Sequence, residues 1–326
     1  MMYKTKIYYW PFLCVLDIVG YFFFWWLRFI HFKRPGTIAV IRLEQLGDVI
    51  MSTPLFRALK SGFPNSKLTV IIRPSCAAAL EKNPFVDEVV RIRPPYFSGG
   101  GSLKEFFSVF RRRFDLVIEP HGDPRNVLLS FFIGRYVVGF GSRGFGFLLN
   151  KRVKDDGRVV SKLLSLAGAV GCSADEKTVW YSFDAAIVKT LPKRYIVIAP
   201  ETTKVAKEWS VSNWNALAFM LRKYAPVVLT GSGFVSDINT EVNLSGKTNL
   251  SQLASVLKNA VLVVSVDSGS AHIAHAVNAP LITLFGPENP DEWGYEDKNS
   301  LIVHNKIMAM SPELVLQACE KFLNTS

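Results

Sequence analysis

Cysteine is scarce in this chain of 326 residues: Cys14, Cys76, Cys172 and Cys319 lie far apart, and no two stand in a CxxC spacing. That argues against a cysteine zinc site and against a disulfide framework, and it fits a reducing compartment. No HExxH and no Asp-x-Asp pair occurs, so no resident divalent metal is implied. A Walker A GxxxxGK[ST] and a GxGxxG opening a helix are both missing, so the two commonest phosphate-cradling signatures give no lead. Low-complexity tracts and repeats of fixed period are absent as well. With 49% hydrophobic and 20% charged residues, an ordered globular protein is expected.

Acidic residues are short in one part of the chain only. Residues 1 to 180 carry 26 Lys or Arg against 14 Asp or Glu, whereas residues 181 to 326 carry 12 against 13. The first half is therefore expected to face something anionic, and nucleic acid, a phosphorylated glycolipid and an acidic membrane all qualify. Charge is also sparse from Ile7 to Phe32, an almost wholly apolar and aromatic run broken by Asp17, Arg28 and His31. Roughly 20 such residues suffice to cross a bilayer. Tyr8, Tyr9 and Trp10 at one end and Trp25 and Trp26 at the other resemble interfacial aromatic belts, and Arg28, Lys33 and Arg34 outweigh Lys4 and Lys6, which keeps the remainder of the chain in the cytoplasm. Asp17 would be costly in mid-bilayer, so an aromatic helix lying in one leaflet stays open beside a spanning one.

From Thr37 onward short β-branched runs alternate with helix-length stretches, the pattern of a parallel sheet covered by helices. TIAVIRL (37–43), KLTVIIR (67–73), EVVRI (88–92), DLVIE (115–119) and RYVVGF (135–140) read as strands, with helices expected over 48–62, 75–82, 103–113 and 157–170. After a polar passage from Cys172 to Pro192 the alternation restarts with RYIVIAP (194–200), PVVLTG (226–231), AVLVVSV (260–266) and PLITLFG (280–286), and a last helix is expected over 312–323. The reading is α/β, with an apolar membrane-associated segment over 1–35 and two Rossmann-like doubly wound domains over 36–178 and 179–326. Such sheets bind ligands beyond the carboxyl ends of their strands, and two of them are expected to face each other across a cleft.

Four clusters stand just after strands. In LEQLGDVIMSTPLFRAL, Gly47 is read as the turn and Asp48 as the residue opening the helix; Asp48 is either an N-cap or a general base, and the roles are compatible. In APETTKVAKEW, Thr202 and Thr203 supply hydroxyls and Lys204 and Lys207 positive charge, a set suited to a diphosphate, with a solvated lysine loop anchored by Trp209 and Trp214 as the bland reading. In VDSGSAHIAHAVNAPLITLFGP, Asp267 or Ser268 caps a helix, Gly269 and Ser270 let a ligand approach its amides, and His272 faces the same space; His275 reads as a buried core histidine. In LTGSGFVSD, Asp237 is placed to hold a ribose hydroxyl. His121 and Arg125 in EPHGDPRN are weaker candidates for the acceptor side.

The order of IRLEQLGDVIMSTPLFRAL, FDLVIEPHGDPRN, TTKVAKEW and VDSGSAHIAHAVNAPLITLFGP resembles the glycosyltransferase family that contains the ADP-heptose:lipopolysaccharide heptosyltransferases, from about Thr37 to the end. The resemblance implies a GT-B fold and an inverting, metal-independent transfer of a heptose or similar sugar from ADP-heptose, with no cofactor beyond the nucleotide-sugar substrate. It implies that Asp48 deprotonates the acceptor, that Thr202, Thr203 and Lys207 bind the donor phosphates, and that Asp267, Gly269 and His272 surround the donor. It also implies a lipid-linked anionic acceptor of the lipopolysaccharide core, at the cytoplasmic face of a bacterial inner membrane. Arg111, Arg112, Arg113, Arg135, Arg143, Lys151, Arg152 and Lys154 would face that acceptor. Two departures stand out: Asp237 is the nearest acid where the family has Glu near the ribose or base, and Ser210 follows Trp209 where proline is common. Two alternatives stay open, a GT-B enzyme using another nucleotide sugar and a catalytically silent nucleotide-sugar binding protein. Nucleic-acid binding rests on charge alone and leaves the second domain's clusters unexplained.

Overall fold

A computed structural model of the chain describes residues 9–94, 103–185, 191–233, 235, 237–295 and 297–324. Lys4, Lys6, Ile7 and Tyr8 of the N-terminal reading, Phe234 and Ser236 of the Gly-rich stretch, and part of the polar passage lie outside the described residues. Two compact units divide the chain, residues 1–178 and residues 179–326.

In the first unit, strands β1 (Thr37–Arg42), β2 (Lys67–Ile72), β3 (Glu88–Arg91), β4 (Phe114–Glu119), β5 (Gly134–Gly139) and β6 (Lys151–Arg152) form one parallel sheet in the order β3-β2-β1-β4-β5-β6. β1 is buried from Ile38 to Arg42 because both faces of a parallel sheet are covered, which is why it reads as a continuous apolar run. It pairs with β2 on one side and β4 on the other, and the chain reverses its direction of winding between β1 and β4. The helices are α1 (Trp10–Phe24), α2 (Leu46–Met51), α3 (Thr53–Gly62), α4 (Leu103–Phe110), α5 (Pro124–Ile133) and α6 (Val159–Gly168).

The second unit repeats the plan. Strands β7 (Ile196–Ala199), β8 (Val227–Leu229), β9 (Val242–Asn243), β10 (Leu262–Val266), β11 (Leu281–Phe285) and β12 (Ser300–His304) run in the order β12-β11-β10-β7-β8-β9, and here the winding reverses between β7 and β10. Its helices are α7 (Val211–Leu221), α8 (Leu250–Lys258), α9 (Gly269–Ala276), α10 (Pro290–Trp293) and α11 (Pro312–Leu323). Buried Val315, Cys319 and Leu323 pack α11 into this unit, and Tyr224 donates to Glu320 at 2.6 Å.

Several expectations need correction. The helix foreseen over 48–62 is two helices that meet at Ser52, with Pro54 in the first turn of α3. The stretch 75–82 is a tight 3-10 turn over Pro74–Ala79, because Pro74 starts it and small residues carry it. β6 and β9 were not foreseen, since two-residue strands carry no periodicity; β12 and α5 were not foreseen either, although Asp123 caps α5 and Pro124 begins it.

Helix α1 continues as a 3-10 turn over Trp25–Phe29, and Trp10–Phe29 is long and apolar enough to cross a membrane by length and composition. One of its sides is packed on the first unit. A Cβ on Gly20 would come within 2.4 Å of the Phe147 ring, and Phe24 meets Phe131 edge to face at 5.7 Å. Leu13, Asp17, Gly20 and Leu27 repeat at helical spacing on that buried side.

Candidate functional site

In each unit the polar residues gather after the two strands that flank the reversal, where open α/β sheets hold ligands. In the first unit these are the exits of β1 and β4. Gln45, in an extended conformation (φ −81°, ψ 169°), is the N-cap of α2, and Asp48 stands third in its first turn. The two residues form a reciprocal capping box in which Asp48 Oδ2 accepts from Gln45 N at 3.0 Å. Asp48 therefore does not open the helix, and Gly47 lies within the first turn rather than before it. The other carboxylate oxygen lies 3.8 Å from Arg42 Nη2, and the Asp48 side chain keeps 16% of its surface exposed.

Behind Asp48 lies a buried polar network. Arg42 Nη1 donates to Glu44 Oε2 at 3.4 Å, Asn126 Nδ2 donates to Glu44 Oε1 at 3.0 Å, and His121 Nδ1 stands 3.9 Å from the same oxygen. Burial pushes Glu44 up to about 7, with Arg42 pulling down and the Asp48 charge adding to the rise. Glu119, the last residue of β4, is pushed up to about 8 by burial and then by Glu44, despite accepting from Gly122 N at 2.6 Å and His121 N at 3.2 Å. Burial, then Arg143 and Arg42, press His121 down to about 4, so its ring is neutral at pH 7. Nε2 lies 2.8 Å from Arg143 Nη1, and because arginine only donates, Nε2 is the acceptor. His121 is thus gathered behind Asp48, whereas Arg125 is turned onto the α5 cap, bonded to Asp123 at 2.9 and 2.7 Å. Arg143 and Arg152 also point inward, Arg152 donating to Phe140 O at 3.0 Å, while Arg111, Arg113 and Arg135 stay exposed.

In the second unit the loop after β7 carries Thr202, Thr203 and a single 3-10 turn over Val205–Lys207. Lys207 Nζ is bonded to Asp267 Oδ2 at the exit of β10 and lies 3.6 Å from Glu288 Oε1 beyond β11. Lys204 Nζ holds the same Glu288 oxygen at 2.6 Å. Lys204's hydrogen bond, and then the nearby Lys207 charge, keep the Glu288 carboxyl below the usual carboxylate range although partial burial works against them. Thr202 Oγ1 accepts from Lys204 N at 3.3 Å, and Thr203 is exposed. Trp209 and Trp214 are the core anchors of the bland reading, with ring centroids 5.0 Å apart and Trp209 Nε1 donating to Met310 O at 3.0 Å.

Ser268, not Asp267, stands at the N-cap of α9 and makes no side-chain cap hydrogen bond there; its hydroxyl lies 3.3 Å from Ser265 Oγ. The Asp267 carboxylate is turned to Lys207, with His272 Nε2 3.9 Å from its other oxygen. His272 is buried, and its Nδ1 is 3.0 Å from the Tyr295 hydroxyl. Tyr295 stacks on His275 at 3.6 Å, and burial presses His275 down to about 4, which fits the core role read for it. Asp237 lies in the loop after β8, its carbonyl tied to Asn215 of α7 at 2.9 Å.

Sequence reading passed over Glu201, Glu288 and Tyr295. Glu201 accepts from Ser232 N, from Ser232 Oγ at 2.5 Å and from Gly233 N at 3.3 Å, so the Gly-rich exit of β8 is a turn whose donors converge on an anion. A Cβ on Gly231 would come within 2.8 Å of Glu201 Oε2, so a side chain there would displace the tip of that carboxylate. The acids after β7 and β11 were visible in APETT and FGPENP; Tyr295 had no local signal. A cavity of about 660 Å³ opens beside this cluster, lined by Ala206, Gly286, Pro287 and Asn305 among others. Among the described residues no group of three or more His, Cys, Asp or Glu is placed to hold a metal ion.

Two doubly wound units with the same strand order, each with its polar cluster at the reversal, have the GT-B fold. The chain belongs to glycosyltransferase family 9 (heptosyltransferase), whose sequence profile matches residues 108–322. It is similar to lipopolysaccharide heptosyltransferase 3 of Escherichia coli, with 24% identity over 283 residues that span 76% of this chain and 82% of the relative. Among solved structures it is similar to the glycosyl transferase family 9 protein from Veillonella parvula DSM 2008, with a TM-score of 0.77 and 20% identity over 89% of this chain and 98% of that one. It is also similar to the E. coli ADP-heptose lps heptosyltransferase II, with a TM-score of 0.71 and 22% identity over 89% and 99% of the two chains.

Proposed function

We propose that this enzyme moves a heptose from ADP-heptose to a lipopolysaccharide-core or related lipid-linked acceptor, with inversion and without a metal ion, at the cytoplasmic face of the inner membrane. The observation that carries the chemistry is Lys207, an ammonium held by Asp267 and Glu288 beside the N-terminus of α9. The names of the similar E. coli proteins support the donor and acceptor.

In this reading the acceptor oxygen attacks the anomeric carbon as the bond from that carbon to the diphosphate breaks. The electron pair of that bond goes to the diphosphate, and the proton of the attacking hydroxyl goes to Asp48. Lys207, the hydroxyls of Thr202 and Thr203, and the amides of Ser268 and Gly269 stabilise the growing phosphate charge, the task a metal ion performs elsewhere. Asp267 aims the Lys207 ammonium, His272 borders the donor, and Asp237 takes a ribose hydroxyl. His121 and Arg125 belong to the acceptor side.

The test is a mass-spectrometric transfer assay that offers ADP-heptose and a panel of other nucleotide sugars with extracted lipid-linked core acceptors. Heptose addition that is lost in Asp48→Ala supports the reading. Transfer from a different donor overturns the heptose assignment alone, and nucleotide binding without transfer to any acceptor overturns catalysis.

A further inference from the structure

Helix α1 has two unlike faces. The inner face is docked on the first unit: Gly20 lies against Phe147, Tyr21 meets Phe147 at 6.2 Å, and Asn150 Nδ2 donates to Leu27 O at 2.8 Å. The outer face carries Phe12, Val15, Ile18, Phe22, Phe23 and Trp26, each at least half exposed and Phe22 76% exposed. A soluble surface rarely leaves an apolar patch of this extent uncovered.

The apolar surface does not end with α1. Phe24 touches Phe131 on α5 at 5.7 Å, Phe131 touches Phe132 at 5.6 Å, Phe132 touches Phe110 on α4 at 5.7 Å, and Phe110 touches Phe107 at 5.9 Å. This aromatic ladder surfaces at Phe132, 46% exposed, and at Phe107, 59% exposed. Exposed cations flank it: Arg28 over the Tyr21 ring, Lys33 and Arg34 after α1, Lys104 at the start of α4, Arg111 and Arg113 at its end, and Arg135 after α5. Glu105 on α4 and Asp115 beside Arg135 are the nearby acids, so the cations are in excess.

We infer that the outer face of α1 together with Phe107 and Phe132 is one docking surface for an anionic phospholipid leaflet, with α1 lying in the plane of the membrane rather than crossing it. The inference deepens the membrane-surface reading above and rests on it. Aromatic residues enter the headgroup boundary while the flanking Arg and Lys meet lipid phosphates. Crossing would put Asp17 into hydrocarbon and strip Phe147 and Phe131 of their cover, whereas in the docked helix Asp17 is 3% exposed and turned to protein.

The full chain, purified in mild detergent, is diluted into preformed vesicles of phosphatidylethanolamine and phosphatidylglycerol, or of phosphatidylcholine alone, and floated. Binding is expected to favour the anionic vesicles, and Phe107→Ser/Phe132→Ser, both exposed positions, is expected to lower the bound fraction about threefold or more with an unchanged melting curve. A spanning helix would not need those two residues, so wild-type binding by this variant overturns the docking surface. In inverted inner-membrane vesicles an impermeant maleimide is expected to reach Tyr9→Cys and Lys33→Cys, each in a Cys14→Ser background, from the same side. Labelling of Tyr9→Cys from the opposite side alone overturns the in-plane orientation and leaves the enzyme reading intact. Failure to bind either vesicle overturns both this surface and the membrane location, and transfer to a detergent-dispersed acceptor tells whether the enzyme reading survives.

Discussion

Lys207 and Asp267, 60 positions apart in the chain, are hydrogen-bonded to each other at the point where β7 and β10 diverge, with 13% and 6% of their side chains exposed. Such a pair adds little net stability over a well-packed apolar pair, but removing one partner strands a buried charge at a cost of about 3–5 kcal/mol. In the proposed function the pair's place at the strand exits is accounted for by its task on the donor.

Lys207→Met is therefore expected to lower both the melting temperature and kcat, the latter by about 10²–10³-fold, as when an electrostatic donor is removed from a developing anion. The double variant Lys207→Met/Asp267→Asn removes the stranded charge. Thermal melts should show much of the stability restored, while the transfer assay should stay at the single variant's level. Recovery of activity along with stability would assign the pair a structural role only.

Asp48→Asn keeps an acceptor for the Gln45 N–H and so should preserve the start of α2. Transfer should fall by about 10²–10⁴-fold, the range for a lost general base, with nucleotide affinity by calorimetry unchanged. A weakened nucleotide affinity with normal turnover would remove Asp48 from the proton transfer.

Glu44 gives a pH signature. Its folded value of about 7 stands above the ordinary 4.5, so between those values the folded state holds a proton that the unfolded chain has released. The stabilisation is complete below about 4.5 and is lost as pH rises through about 7, amounting to about 3 kcal/mol at most. Chemical denaturation of Glu44→Gln, which keeps an uncharged partner for Asn126, should show a flatter stability profile than wild type from pH 4.5 to 8. Equal slopes in the two proteins would show that Glu44 is charged throughout.

Gly20→Leu forces a side chain into the Phe147 ring, 2.4 Å from where its Cβ would stand. Overpacking of this kind costs about 1–3 kcal/mol. Limited proteolysis should cut the stretch between α1 and β1 faster in the variant, and unchanged protection would mean that α1 is not held at this contact.

The sheets were legible because parallel strands buried on both faces stand out as β-branched runs: TIAVIR, LVVSV and LITLF need no neighbour to be recognised. Lys207, Asp267 and His272 were legible for a related reason, since each comes soon after such a run. Glu44 and Glu119 were not, because nothing local separates a carboxylate that will be buried at a strand exit from one left in water. The capping box likewise reassigned Asp48 from the first residue of its helix to the third, a shift set by the extended backbone at Gln45.

The sequence by itself determined the alternation of strands and helices, the charge imbalance between the two parts and the family motifs, all of which depend on residue type and short-range spacing. Only the tertiary structure decided that Lys207 meets Asp267 and Glu288, that Asp48 rests on a buried Arg42–Glu44–His121 network, and that one face of α1 is docked while the other stays bare. Most of those contacts join residues far apart in the chain, such as Lys207 with Asp267, Glu44 with Asn126 and Gly20 with Phe147, and they are fixed by strand order and packing rather than by a local pattern.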